Sequence, residues 1–421
     1  MKDRTTYNTV NRRTVLGGMA AASVVSTMLA PRTATAQQRE IQMAFIAPLS
    51  GPWARQGELM KQGADMAVED VNAAGGIRLP SGPARLRLIV ADAGDSAEKA
   101  KNAAQRLLSE YPNLTAGTGA WLSSFTLAVT EVTERAKLPW ITLSLADSIT
   151  ERGFKYLFQT SATVGVMSKL TLDLVLNLAK SAGAPAPKTA GFIADNTPQP
   201  TGFLGPLRKT LLKERGIELV VDEIYTPPLA DATPLVQRVR SRRPDIVFLI
   251  PTGTSDVKLL MEKFKEFHLD RGRIPLISNG AQFGTPELLN LMGKELLEGF
   301  MFTPANWGTK RNADLVANFQ RRTGEPWMGQ DSISTYGDMW LLKAAIERAG
   351  STDRDAVATA FQQIDFTGDV GKYYAGGRVK FDEKGRRVGA DIYMVQWRNG
   401  MPMVVFPKNA AQGEPIWPKR A

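Results

Sequence analysis

The chain contains no cysteine and one histidine, His268, among its 421 residues. Without thiols there are no disulfides, no lipid-bearing cysteine behind a leader, and no thiolate nucleophile or metal ligand. A chain of this length can be held by its hydrophobic cores, so an oxidising compartment is permitted but disulfides are not demanded. A lone imidazole cannot furnish a multi-histidine zinc site or a histidine-based catalytic triad with a partner thiol. His268 ends a stretch of helical spacing at 254–267, where decorating a helix end accounts for it. Blocks of like charge are missing too. No segment carries the run of about 20 strongly apolar residues that spans a bilayer. The G-x-S-x-G elbow, H-E-x-x-H and P-loop patterns are absent, and Gly117-Thr118-Gly119 lacks the third glycine of a dinucleotide-binding loop.

What is present begins at the amino end. Arg12-Arg13 leads into the mildly apolar stretch 17–30 and then Ala34-Thr35-Ala36. A basic lead, a short apolar segment and an A-x-A end read as a cleavable export signal over residues 1–36, and the arginine pair points to the twin-arginine route. The expected location is the periplasm. Without that leader the chain carries 47 basic and 41 acidic side chains, a mild and dispersed excess that fits solubility rather than nucleic-acid binding. The remaining length exceeds what one core serves, so two lobes are expected.

From Ile41 apolar runs alternate with amphipathic segments. Strands are expected at 41–47, 85–91, 114–117 and 139–143, with helices at 56–73, 95–109 and 123–137 between them. The alternation resumes with strands at 188–194, 217–225, 245–250 and 274–278, and helices at 202–215, 231–241, 254–267 and 285–292. Helices at 331–350 and 353–361 and strands near 378–382, 391–397 and 403–406 form the tail. Two successive β-α sets predict an α/β protein with two doubly wound parallel-sheet lobes. The tail is too small for a third domain and is expected to return to complete both lobes.

Several fragments, in order, resemble one family. They are Pro48-Leu49-Ser50-Gly51-Pro52, Gly63-Ala64, the stretch from Asp70 to Ile77, Ser123-Ser124, Leu138-Pro139, the stretch from Ile149 to Phe154, Tyr336-Gly337-Asp338 and the stretch from Val379 to Gly385. Over residues 40–400 the sequence resembles periplasmic binding proteins of the branched-chain amino acid type, which serve ATP-driven ABC importers. The resemblance implies a type I periplasmic binding fold, two α/β lobes joined by a three-strand hinge. It places the first lobe at 40–160 plus 303–387 and the second at 161–302 plus 388–410, with 411–421 as a tail. It also implies a small-molecule ligand, an ABC permease of the inner membrane as partner, and no cofactor, metal or nucleic acid. A monomer is the default.

Ligands of open α/β sheets sit beyond the carboxyl ends of the strands. Four such places carry suggestive residues. Trp53 offers a flat wall and Gln56 a two-sided polar handle, although Trp53 could equally pack into a core. Trp121 precedes Ser123 and Ser124 at a helix start, where hydroxyls and free N–H groups suit a carboxylate; plain N-capping is the competing reading. By the resemblance, Ser123 and Ser124 would meet the ligand's carboxylate, and Ser144 with the main chain of Ala146 would contribute from the next loop. The second lobe offers Gln199, Thr252, Asn279 and Gln282. Gln199, between Pro198 and Pro200, reads either as a preorganised contact or as part of an exposed turn.

The family's amino-acid binders generally carry a tyrosine near Gln199, an aromatic near Thr252 and an acidic residue around 279–282; this chain has none of them there. A buried ammonium without an anionic or aromatic partner is costly. Asp195 and Asp256 are the remaining candidates for that role. The expected ligand is therefore amino-acid-like or an organic carboxylate or amide, with a carboxylate, amide or urea-like group on an apolar or aromatic body fitting better than a plain aliphatic α-amino acid. Trp307 and Trp327 are assigned to packing between lobes. A sensor that passes ligand occupancy to a receptor remains the alternative function, and an enzyme is disfavoured because no nucleophile, base and orienting group occur at matched spacing.

Overall fold

A computed structural model describes residues 39–269 and 274–417. The expected leader, residues 1–36, lies outside the described residues, as does the end of the tail. The first sheet contains β1 (Glu40–Ala47), β2 (Ile77–Leu79), β3 (Gly82–Asp92), β4 (Ala116–Gly119), β5 (Trp140–Thr142) and β6 (Leu157–Gln159). Their spatial order is β2-β3-β1-β4-β5-β6, parallel except for the β2–β3 hairpin. The second contains β7 (Thr189–Asp195), β8 (Glu218–Tyr225), β9 (Ile246–Ile250), β10 (Leu276–Asn279) and β11 (Met301–Thr303). A separate hairpin pairs β12 (Asp365–Thr367) with β13 (Arg378–Lys380), after which β14 (Met394–Arg398) and β15 (Met401–Phe406) finish the second sheet. Its order is β15-β14-β11-β10-β9-β7-β8, with β14 and β15 antiparallel at one edge.

The parallel strands are covered on both faces by helices, which is why β9, Ile-Val-Phe-Leu-Ile, is apolar and buried at every position. Around the first sheet run α1 (Ala54–Ala73), α2 (Ala97–Glu110) and α3 (Ser123–Arg135). Around the second run α4 (Val164–Ser181), α5 (Pro198–Pro206), α6 (Leu212–Glu214), α7 (Thr233–Arg242), α8 (Thr254–Glu266) and α9 (Pro286–Leu297). The chain then continues through α10 (Ala313–Thr323), α11 (Gln330–Ala349) and α12 (Arg354–Gln362). Helix α11 packs on α1 so closely that a Cβ at Gly63 would lie 2.1 Å from the Ser332 carbonyl. Ser332 and Thr335 donate across that contact to the carbonyls of Leu59 and Met60, at 2.9 and 2.8 Å.

Two differences from the sequence reading have clear causes. Helix α4 has no counterpart in it because Leu170, Leu172, Leu174, Leu176 and Leu178 fall on alternate positions, a period-two pattern. The fully buried positions nevertheless follow helical spacing: Val164, Met167, Ser168, Thr171, Leu172, Val175, Leu178 and Ala179. Helix α5 begins four residues before the expected start at 202, because Pro198 and Pro200 sit in its first turn, where a missing N–H costs nothing. Gln199 is therefore helical rather than part of a turn.

The chain passes between the sheets after β6, after β11 and before β14. Arg387 ties two of these passages together. Its buried guanidinium donates to the carbonyls of Thr160 (2.5 Å), Ala375 (2.8 Å) and Arg378 (3.0 Å), and burial lowers its pKa to about 10. Beside it, Asp338 accepts from Thr118 and Tyr374, and burial still raises its carboxyl to about 6. The described part of the tail is held to β14, where the Gln396 amide exchanges hydrogen bonds with the main chain of Ile416 at 2.7 and 2.9 Å. Trp307 packs edge-on to Phe302, and Trp327 packs on Trp397. Both therefore join the core of the second sheet although their segment leads back to α11.

Candidate functional site

In the first sheet β3 and β4 flank β1, and in the second β8 and β9 flank β7, so each sheet has a switch point where successive loops diverge. The loops beyond these points face a common cavity with about 480 Å³ of empty space, its mouth included. From the first side come Trp121, Leu122, Ser123, Ser124, Leu143 and Leu145; from the second, Thr197, Pro198, Gln199, Thr252, Gly280, Ala281 and Gln282. Gln330, the first residue of α11, closes the remaining edge. None of these side chains is ionisable.

The first wall turns on a run of positive φ angles: Gly119 at 120°, Ala120 at 69° and Trp121 at 34°. Glycine is required at 119, where a Cβ would meet the Ile46 carbonyl at 2.0 Å. Ala120 and Trp121 adopt the left-handed region at a cost of roughly 1–3 kcal/mol each, so the surroundings must hold them there. Three bonds do so. Ala120 N–H donates to the Ile46 carbonyl at 2.6 Å, the Ser144 hydroxyl donates to the Trp121 carbonyl at 2.7 Å, and the Trp121 indole N–H donates to Asp331 at 3.0 Å. Asp331 is wholly buried in the first turn of α11, and burial raises its carboxyl to about 7 despite the indole hydrogen bond.

Helix α3 then starts at the cavity. Its N-cap position is Leu122, which offers no side-chain acceptor, so the N-capping reading of Ser123 and Ser124 does not hold: they are the first two helical residues. The first N–H groups of a helix lack intrahelical partners and carry its positive end. Ser123 Oγ accepts from the Ala146 N–H at 3.2 Å, which leaves its proton to be donated. Helices α5 and α8, preceded by Thr197 and Gly253, likewise begin without a side-chain cap.

The second wall is bound mostly to itself. Asp195, fully buried, accepts from Thr197 N–H (2.9 Å), Thr197 Oγ1 (2.5 Å) and Thr252 N–H (2.5 Å). The Gln199 amide donates to Asn279 Oδ1 at 2.6 Å, while the Asn279 amide donates to the Thr303 carbonyl at 3.0 Å. Gln282 donates to the Pro251 carbonyl at 2.9 Å. Asp256 is engaged with Tyr225 and the Leu229 N–H, both at 3.1 Å, and lines no part of the cavity.

Of the residues singled out from the sequence, Trp121, Ser123, Ser124, Gln199, Thr252 and Gln282 line the cavity. The others lie off its lining. Ser144, Ala146 and Asn279 are one hydrogen bond behind the wall, holding Trp121, Ser123 and Gln199 respectively. Trp53 packs edge-on against Phe125 with ring centroids 5.7 Å apart, the core-like alternative. Gln56 reaches across to Thr254 Oγ1 at 3.5 Å. Next to it Arg55 pairs with Glu325 at 2.7 Å and with Glu287 of α9 at 2.5 Å, so α1 is tied to the second half beside the cavity. Sequence reasoning missed Thr197, the apolar wall of Leu143, Leu145 and Ala281, and above all Gln330 and Asp331. An acidic residue at a helix start reads as an ordinary dipole complement, so nothing local signals Asp331's part.

Among the described residues no three or more His, Cys, Asp and Glu side chains are grouped so as to hold a metal ion. No helix among them is long and apolar enough to cross a membrane. The chain matches the periplasmic binding protein family over residues 40–401 and belongs to it. A Leu/Ile/Val-binding protein homolog 8 of Brucella abortus (strain 2308) is 25% identical over 412 residues, covering 95% of this chain and 97% of the relative. The isoleucine complex of LivJ from Streptococcus pneumoniae shares the fold with a TM-score of 0.74 at 19% identity, covering 86% of this chain and 98% of LivJ. A solute-binding protein of Rhodopseudomonas palustris BisB5, in complex with 3,4-dihydroxybenzoic acid, has a TM-score of 0.72 at 20% identity, covering 89% and 98% of the two chains.

Proposed function

We propose that this protein is an exported solute-binding protein that encloses a small carboxylate or amide with an apolar or aromatic body and delivers it to an ABC permease. The observation that carries the reading is the cavity between the two sheets, lined without any ionisable side chain and opened onto by the uncapped start of α3. A carboxylate gains there from unpaired N–H groups and the helix dipole. An ammonium would have to leave water with no facing anion, which costs several kcal/mol. That a structural neighbour is a complex with 3,4-dihydroxybenzoic acid supports an acid without an amino group. The relatives' Leu/Ile/Val-binding names favour the wider class of amino-acid-like ligands.

In this reading the lobes are 40–160 with 303–387 and 161–302 with 388–410, hinged where Arg387 binds the passages. The leader at 1–36 sends a monomeric protein to the periplasm. Closure is a shift of population: a ligand touching both walls favours the closed arrangement, which the permease then recognises. The test is a thermal-shift panel of amino acids, aliphatic and aromatic acids and their amides. Ligand at 100 times its Kd stabilises by about 2.7 kcal/mol. An acid or amide is expected among the hits. Chemical conversion of a hit by the protein would contradict a binding role.

A further inference from the structure

We propose that Asp331 is a positioning residue of this site: its carboxyl group sets the Trp121 indole against the ligand, and ligand affinity follows its protonation. The geometry is specific. Trp121 is the aromatic residue of the cavity wall, it sits in a left-handed backbone conformation, and its indole N–H has Asp331 as acceptor. Asp331 does not line the main cavity. It lines a smaller neighbouring one of about 250 Å³, shared with Ala281 and Gln330, so the carboxyl lies one side chain behind the ligand's place.

Among the described residues no counter-ion faces it. On the packed helix α1, Arg55 is paired with Glu58, Glu287 and Glu325, and Lys61 with Asp65. On its own helix, Asp338 is two turns away and bonded to Thr118 and Tyr374. Burial is the dominant influence and pushes Asp331 up to about 7. The indole N–H and the start of α11 favour the ionised form and keep the titration near neutrality.

The coupling follows from charge, and its sign rests on the carboxylate reading above. A ligand carboxylate enclosed beside Trp121 disfavours an ionised Asp331, because like charges repel in a site that excludes water. The ionised group also adds negative charge to the indole face through its N–H. Binding of an acid therefore takes up a proton, and affinity falls as pH rises through the titration. An ammonium-bearing ligand would show the opposite slope.

The experiment measures Kd from pH 5.5 to 8.5 for 4-methylpentanoate, 3-phenylpropionate and 3,4-dihydroxybenzoate, with L-leucine and L-phenylalanine alongside. For the tightest acid, wild type is expected to weaken about tenfold across that range. Asp331→Asn keeps an acceptor for the indole but cannot ionise, so it should stay flat and match wild type at pH 5.5. Asp331→Leu removes the acceptor and should bind weakly at every pH. In the ligand-free protein, the fluorescence difference between wild type and Trp121→Phe should titrate near neutrality and lose that step in Asp331→Asn. A flat profile in wild type, or a slope that survives in Asp331→Asn, overturns the proposal. The two readings fail separately: amino acids as the only binders would remove the carboxylate ligand. The role of Asp331 would still be decided by whether the pH dependence of their Kd disappears in Asp331→Asn.

Discussion

The two walls of the cavity are built on opposite plans. The wall from the first sheet keeps donors unused: the opening N–H groups of α3, the Ser124 hydroxyl and the proton of Ser123 face the space, while Ser144 and Asp331 hold the Trp121 loop from behind. The wall from the second sheet closes its polar groups on one another, with Asp195 collecting Thr197 and Thr252 and Asn279 collecting Gln199. On the proposed reading, specificity for a charged head resides on the first wall, and shape on the second.

The largest effect is expected where the second wall's internal bonding is broken. Asp195→Ala leaves the Thr197 and Thr252 N–H groups buried without their acceptor, and should destabilise the protein by about 2–4 kcal/mol in urea unfolding. An unchanged midpoint would mean that this wall is not held by its own bonds. A smaller effect is expected from pH. Asp331 rises from 3.8 to about 7 and Asp338 from 3.8 to about 6, both chiefly through burial. Raised carboxyls bind protons in the folded state that the unfolded chain has released. Their stabilisation is therefore complete below pH 3.8 and is lost as pH rises through about 6 to 7. Asp331→Asn should abolish part of that slope and be the more stable protein at pH 8, by roughly 1–3 kcal/mol. The finest distinction lies within the first wall. Ser124→Ala should weaken binding of an acid about five- to tenfold with no change in melting temperature, since its hydroxyl has no bond to lose among the described residues. Ser123→Ala should weaken binding and also lower stability by about 1 kcal/mol, because the Ala146 N–H loses its acceptor.

Much of the fold is legible because parallel strands buried on both faces, such as Ile246–Ile250, stand out as short apolar runs between amphipathic helices. What escaped is local. The alternating leucines of α4 imitate a strand, and β6 and β11 are three-residue strands whose role is to pass between the sheets. The cavity wall was legible where chemistry and position coincide, as with Trp121, Ser123 and Ser124 following β4. Ser144, Ala146 and Asn279 stand on loops that reach the cavity, but their polar groups bond to its wall instead of lining it. Asp331 could not be read at all. Its meaning comes from an indole 210 residues away in sequence, brought beside it only by the packing of α11 under the first sheet's loops.

The central claim is that an enclosed cavity without an ionisable side chain accepts an acid and rejects its amino counterpart. Calorimetric titration with 4-methylpentanoate and L-leucine, which differ at the α-amino group over a shared carbon skeleton, tests it most directly. The account predicts that the acid binds at least tenfold more tightly than the amino acid at pH 6. L-leucine binding as tightly as the acid, or more tightly, would contradict it.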